Sequence, residues 1–268
     1  MSLDCSVVLT QSGVRAMLDR NTGELMHPGI GPLAEAELLY VGASRLSERL
    51  GQATNEPLVL FDVGLGAGTN AAAAFRLSEK IGKRPLRIIS FDHSLAAFEL
   101  ALEPSNASAF GLDGLLDEAR ELLAGHECRG RHTEWRVVLG ELPASLQRAQ
   151  ESTDIVFWDP FSPGSNPELW TLAAFASVRA VCRKGATLHT YSGATAVRSA
   201  LLLAGFSVGL GARLGPGKRA TEAALDAQVV EPLDLRWLQR FGRSSAPLPV
   251  DAPADAASKI AEAAQFQP

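Results

Sequence analysis

The stretch Asp62-Val63-Gly64-Leu65-Gly66-Ala67-Gly68-Thr69-Asn70 follows the apolar run Leu58 to Phe61 and sets a carboxylate and spaced glycines where a strand gives way to an alanine-rich helix. Such a turn lets backbone approach a nucleotide-like cofactor. One glycine takes a positive φ in the tight turn, one leaves room for the ligand, and one lets helix and strand pack closely. Glycines also occur at these turns for structure alone, so the neighbouring residues must discriminate. The spacing Gly64-x-Gly66-x-Gly68 puts Thr69 where a dinucleotide fingerprint has its third glycine. Asp62 adds negative charge near the loop, which disfavours a pyrophosphate. A cofactor without phosphate fits both points, and S-adenosylmethionine, with its cationic sulfonium and amino groups, suits an anionic lining. A second strand, Arg87 to Phe91, ends in Asp92, roughly 20 to 25 residues past the glycines, where doubly wound folds place a carboxylate for ribose hydroxyls.

A second constellation runs from Asp154 to Trp170. Its apolar strand delivers Asp159 into a loop containing Pro160, Pro163 and Pro167. Proline fixes φ and lowers the entropy lost on ordering, so this loop can hold Asp159, Phe161 and Asn166 in defined positions beside a ligand. Trp170, at helical spacing from Phe175 and Val178, reads equally as core or as ligand contact. Arg213, Lys218 and Arg219 share a loop-like stretch with Gly211, Gly215 and Gly217. That stretch is compatible with a phosphate contact or with a solvated surface turn.

The elements that must position these residues alternate. Val7 to Leu9 and Val14 to Leu18 read as a hairpin turning at Gln11-Ser12-Gly13, and 34–49 reads as a helix. Strands are expected at 58–62, 87–91, 135–139, 154–158, 186–191 and 206–210. Helices are expected at 69–80, 113–124, 143–150, from Pro167 onward, and at 194–204. This is an α/β pattern of the Rossmann-like, doubly wound kind: a mostly parallel sheet with helices on both faces and a small N-terminal hairpin and helix added. Ligands in such folds bind beyond the carboxyl ends of the strands, so Asp62, Asp92, Glu141 and Asp159 should share one rim. Residues 1–50 read as the N-terminal addition, 51–243 as the catalytic domain, and 244–268, rich in Ala, Pro, Ser and Asp, as a flexible tail.

With 268 residues and 46% hydrophobic content, the chain can bury a substantial core. No apolar run approaches the roughly 20 residues a membrane span needs, and the N-terminus lacks a basic segment followed by an apolar one, so a cytoplasmic location without membrane association is expected. Cys5, Cys128 and Cys182 are widely spaced, which argues against a disulfide framework or a zinc site. The histidines form no ligand pair at helical spacing, so no metal is expected. The formal charge of −5 is unlike that of many nucleic-acid binders, which makes local charge more telling than the total.

Gly64-Leu-Gly-Ala-Gly68, Asp159-Pro-Phe-Ser-Pro163 and Asn166-Pro-Glu-Leu-Trp170 together resemble the methyltransferase module of the MnmC-like family, the tRNA 5-methylaminomethyl-2-thiouridine methyltransferases. The segment His27 to Val41 is similar to that family's N-terminal His-Ser-x-x-Gly-Ala-x-x-Glu-Ala segment, Glu35 matching its glutamate. Gly185 to Tyr191, Val197-Arg198 and Gly215-Pro-Gly-Lys218-Arg219 resemble further family segments. Glu141 stands where the family often has Asp, Asp92 where it commonly has Glu, and Met26 and Pro28 where Tyr and Ser are common.

The resemblance implies methyl transfer from S-adenosylmethionine to the aminomethyl nitrogen of a wobble uridine in tRNA. Asp159 is the expected catalytic residue, holding the amine and stabilising the ammonium product. Asp62, Gly64, Gly66, Gly68, Thr69, Asn70, Asp92, Glu141 and Glu35 are the expected cofactor contacts; Phe161, Asn166, Lys218 and Arg219 are the expected substrate contacts. Many relatives carry a fused flavin-dependent oxidase. This chain has no second dinucleotide glycine motif, so methyl transfer alone, no flavin, and a separate enzyme supplying the precursor amine are expected. Two other readings stay open on the same scaffold: a small-molecule amine methyltransferase or aminopropyl transferase, and a non-catalytic S-adenosylmethionine-binding protein.

Overall fold

In the computed structural model, residues 4–27, 29–215, 217–227 and 229–267 are described. The N-terminal hairpin forms as strands β1 (Cys5–Leu9) and β2 (Arg15–Asp19), with Val7 opposite Met17, and a short β3 (Leu25–Met26) extends it to three antiparallel strands. The helix expected over 34–49 is broken into pieces. Helix α1 (Pro32–Glu35) widens into a π-helix over Ala36–Gly42, and α2 (Leu46–Leu50) starts only after Arg45 adopts a left-handed φ of 50°. A π-turn inserts an extra residue into the helix and so re-aims its side chains. Here Leu39 and Tyr40 turn into the core, Tyr40 packing on Phe157 with ring centroids 5.3 Å apart.

Next come β4 (Leu58–Val63), α3 (Thr69–Ile81), β5 (Leu86–Asp92), α4 (Ala96–Ala101), α5 (Leu116–Gly125), β6 (Glu127–Arg129) and β7 (Thr133–Leu139). A 3-10 turn at Ala144–Ala149 leads to β8 (Thr153–Trp158), and another at Pro167–Trp170 leads to α6 (Leu172–Val181), β9 (Cys182–Thr190) and α7 (Thr195–Leu203). The chain closes with β10 (Ser207–Gly215), β11 (Lys218–Ala224), α8 (Leu235–Phe241) and α9 (Ala256–Ala261). The large sheet has the order β10-β11-β9-β8-β4-β5-β7-β6. Pairs β4·β5, β4·β8, β5·β7 and β8·β9 are parallel. Strand order reverses beside β4, so the loops after β4 and β8 meet at the switch point where doubly wound sheets bind ligands.

The sheet's alternation decides where the core lies. Leu58, Leu60, Ile88, Trp135, Ile155 and Phe157 face one side, against Phe75, Phe98 and the alanines of α3. Val59, Phe61, Val63, Ile89, Phe91, Val156 and Trp158 face the other, against α6, α7 and α8. Both faces are covered, which is why the strands read as continuous apolar runs. Burying each large side chain contributes about 1.5–3 kcal/mol. In α3, Ala71 to Ala74 are all buried, and their small size lets the helix lie close to the sheet.

Two expectations are corrected. Lys218 and Arg219 do not sit in an irregular loop but begin β11, which pairs antiparallel with β10 and β9, because the runs on either side of Gly215 and Gly217 are β-capable. The segment expected as a flexible tail, 244–268, is packed over its described residues, 244–267. The Asp251 carboxylate accepts from the backbone N–H groups of Leu172 (2.8 Å) and Ala173 (2.9 Å), satisfying otherwise free donors at the start of α6. Ser199 donates to the Pro247 carbonyl, Ala256 and Ile260 are buried, and Phe266 stacks on Trp237 with centroids 6.0 Å apart. Gln265 bonds both the N–H and the carbonyl of Val208. A few well-spaced apolar residues order a segment whose composition is otherwise that of a linker.

Candidate active site

The three glycines after β4 have separate tasks. A Cβ on Gly64, whose φ is 89°, would stand 2.6 Å from the backbone oxygen of Asp159, so only glycine lets the loops after β4 and β8 touch. Gly66, at φ 52°, gives its N–H to the Asp92 carboxylate at 3.0 Å. Gly68 makes room for Phe98, whose ring a Cβ would meet at 2.5 Å.

A cavity of about 1000 Å³ opens over this rim. Its walls include Gly64, Leu65, Gly66, Asp92, His93 and Glu141 on the glycine-loop side, and Asp159, Phe161, Ser162 and Asn166 on the side of the proline loop. The N-terminal sheet and the following turn contribute Met26, His27 and Glu35, and the β10–β11 hairpin contributes Arg213 and Lys218. Cofactor and substrate residues expected from the sequence thus converge from four parts of the chain: Gly64, Gly66, Asp92, Glu141, Glu35, Asp159, Phe161, Asn166 and Lys218 all line one space.

Five expected contacts do not line the cavity. Asp62 is 1% exposed and points into the core, its Oδ2 accepting from Ser90 Oγ at 2.7 Å while Trp135 Nε1 donates to the same hydroxyl at 2.9 Å. Asp62 therefore supports the floor rather than lining the cavity. Thr69 is buried and Gly68 packs on Phe98, so neither reaches the cavity. Arg219 turns away as well: its guanidinium bonds the Gly211 carbonyl and pairs with Glu231 at 2.6 Å. Asn70 does not line the cavity but acts on it, donating to Asp159 Oδ2 at 2.7 Å.

Asp159 is the centre of a buried polar cluster. His27 Nε2 lies 3.9 Å from Asp159 Oδ2, while its Nδ1 is 3.1 Å from Glu35 Oε2, so the imidazole bridges two carboxylates. The Tyr40 hydroxyl is buried beside the same carboxylate without normal hydrogen-bond geometry. Burial raises the Asp159 pKa above the ordinary carboxylate value; His27, Tyr40 and Asn70 oppose that rise, and Glu35 adds to it. For His27, burial alone would depress the pKa, but the bond to Glu35 and the charges of Asp159 and Glu35 leave it raised. Asp62 goes up to about 7, through burial first, with Ser90 opposing and the charges of Asp159 and Asp92 adding.

The proline loop is held from outside and beneath. Trp170 Nε1 donates to the Phe161 carbonyl at 2.8 Å, and Tyr191 donates to the Pro160 carbonyl at 3.0 Å. Trp170 is 4% exposed, which resolves its two readings in favour of core. From the N-terminal sheet, Glu24 accepts from Ser162 N–H (2.8 Å), Ser162 Oγ (2.9 Å) and Ser165 Oγ. Sequence reasoning assigned no role to His27, Tyr40 or Glu24. His27 stands in the segment that resembles the family, but Glu24 meets partners 138 residues away and carries no local signal.

The cavity suits a cationic donor. Asp92, Glu141, Glu35 and Asp159 give it an anionic lining, and the glycine backbone leaves the approach over β4 open. The Asp92 carboxylate is preorganised, Oδ2 on the Gly66 N–H and Oδ1 on the His93 N–H at 2.7 Å. Among the described residues, no group of His, Cys, Asp and Glu could hold a metal ion.

Residues 117–226 match the S-adenosyl-L-methionine-dependent methyltransferase family. The chain is 25% identical over 84% of its length to the tRNA 5-methylaminomethyl-2-thiouridine biosynthesis bifunctional protein MnmC of Stutzerimonas stutzeri, and 30% identical over 76% of its length to the MnmC of Chromohalobacter salexigens. It spans 36% and 30% of those two proteins, about a third of their length. The crystal structure of MnmC2 from Aquifex aeolicus superposes with a TM-score of 0.77 at 23% identity, covering 99% of this chain and 87% of that one, and shares its fold.

Proposed function

We propose that this chain, a member of the S-adenosyl-L-methionine-dependent methyltransferases of the MnmC kind, transfers a methyl group to the primary amine of a 5-aminomethyl (2-thio)uridine at the wobble position of tRNA. The observation that carries this reading is the placement of Asp159, a buried carboxylate on a braced loop that touches the glycine loop, within a cavity whose other wall is anionic.

The donor supplies an electrophilic methyl on a sulfonium. The amine lone pair forms the N–CH3 bond as the S–CH3 bond breaks, its electron pair stays on sulfur, and positive charge moves to nitrogen. Such a step depends on in-line placement and on stabilising the charge that develops. Asp159 accepts a hydrogen bond from the amine, orients its lone pair and stabilises the ammonium, then takes a proton directly or through water. A pKa above the ordinary carboxylate value makes it a better acceptor for that proton. Asn70 fixes the carboxylate, and His27, held by Glu35, balances its charge. Phe161, Asn166 and Lys218, which line the same cavity, contact the substrate.

The precursor amine is the product of another activity that removes a carboxymethyl group, which makes a separate oxidase a proposed functional partner; we assign this chain no flavin chemistry. The cytoplasm, where tRNA is modified, is the proposed location. Among the described residues, no helix is long and apolar enough to cross a membrane.

The test is nucleoside mass spectrometry of tRNA bearing 5-aminomethyl-2-thiouridine after incubation with the protein and S-adenosylmethionine. Conversion to the species in which one amine hydrogen is replaced by methyl, heavier by one CH2, is expected. An unchanged profile, with methyl transfer to free small amines instead, would overturn the tRNA assignment.

A further inference from the structure

Several arginines of the sheet are ion-paired. Arg87 pairs with Glu134 and Glu151, Arg136 with Glu151, and Arg183 with Asp154. One edge differs. Arg236 and Arg240 project from α8 one turn apart, and Arg243 follows in a continuing turn, its N–H on the Arg240 carbonyl at 3.0 Å. The three span on the order of 10 Å along the helix axis. All are exposed, all line one shallow cavity beside Leu210 and Glu231, and among the described residues none has an ion-pair partner.

The same edge reaches the main cavity. Strand β10 carries both Leu210, beside α8, and Arg213, at the cavity wall, where Lys218 of the paired strand also stands. The acidic residues nearby, Glu231 and Asp234, are outnumbered by Arg219, Arg236, Arg240 and Arg243. Glu231 is taken up by Arg219, and the Asp234 carboxylate accepts the Trp237 N–H at the start of α8. Like charges crowd here: buried Arg198 has its guanidinium pushed down to about 10, by burial first and then by Arg219 and Arg240. Unpaired exposed cations repel one another, and a chain of net charge −5 does not need them for solubility. A row of polyanionic groups would relieve the repulsion, and guanidinium forks match phosphate oxygens.

We propose that Arg236, Arg240 and Arg243, with Arg213, form a phosphate-binding stripe that continues the cavity mouth across the β10 edge and seats RNA backbone outside the modified nucleotide. The proposal rests on the tRNA reading above. It assigns affinity for tRNA to α8, whereas the chemistry at Asp159 belongs to the opposite end of the stripe.

The test is filter binding of an unmodified tRNA transcript to the full chain across a range of salt, with S-adenosylmethionine affinity measured in parallel. The triple variant R236E/R240E/R243E should bind tRNA at least tenfold more weakly at low salt and keep its S-adenosylmethionine affinity within threefold. The slope of log affinity against log salt should become shallower by roughly one for each phosphate no longer neutralised. The charge-preserving R236K/R240K/R243K should stay within about threefold of the original affinity, which separates an effect of charge from an effect on folding. Undiminished tRNA binding by the charge-reversed protein, with the tRNA bound tightly by the original, would overturn the stripe alone. Failure of the original protein to bind tRNA at all would overturn both the stripe and the tRNA reading.

Discussion

Asp62 and Asp159 end neighbouring parallel strands, yet their surroundings give them different work. Asp159 meets Asn70 and His27 at a cavity wall, while Asp62 is enclosed, with one oxygen on Ser90 and the other, Oδ1, buried without a hydrogen-bond partner. A buried carboxylate lacking full hydrogen bonding is held closer to its neutral form, and Asp62 is pushed from the ordinary 3.8 up to about 7. The native protein then binds more protons at this site than the unfolded chain does between those two values. Stability from this group is therefore present at acid pH and lost as pH rises toward 7. Asp62→Asn removes the titration while keeping an acceptor for Ser90. Thermal unfolding should show the variant gaining on the original protein by roughly 3 °C or more on going from pH 5 to pH 8. An equal difference at the two pH values would mean that Asp62 is ionised in the folded protein throughout.

At the scale of elements, the site depends on a contact between two loops. Gly64 meets the Asp159 backbone so closely that a methyl group cannot be accommodated, and its φ of 89° is strained for any other residue. Gly64→Ala should displace the proline loop, lower stability by about 1–3 kcal/mol and reduce methyl transfer at least tenfold. Denaturant unfolding and single-turnover rates measure the two effects, and a variant with the original rate would show that the loops need not touch. The glycine spacing and the strand ends are legible because they are local: the apolar run Leu58 to Phe61 and a turn signal reveal themselves within one window. The braces are not. Glu24 clamps Ser162 from another sheet, the π-turn that aims Tyr40 has no distinctive residue pattern, and His27 acquires its place from a fold-back onto Glu35. The position of Asp62 at a strand end is legible, whereas the direction of its side chain depends on Ser90 and Trp135. The packing of residues 244–267 is not legible because their anchors, Ile260 and Phe266, are few and their partners lie on other elements.

The whole molecule divides its charge by location. The glycine-loop side of the cavity is acidic and suits a sulfonium donor, whereas the β10–β11 edge is basic and suits a polyanion, an arrangement hidden by the net charge of −5. The parallel sheet brings the donor's loop and the acceptor's loop together at its switch point. The N-terminal sheet closes the third side and supplies His27 and Glu24. The central claim is that Asp159 acts on the amine and not on the donor. It is tested most directly by Asp159→Asn, with S-adenosylmethionine affinity measured by calorimetry and single-turnover methylation of tRNA measured on the same preparation. The variant should show a methyl-transfer rate at least 100-fold lower, with donor affinity within threefold of the original. A near-original rate, or a fall in donor affinity that accounts for the whole rate defect, would contradict that claim.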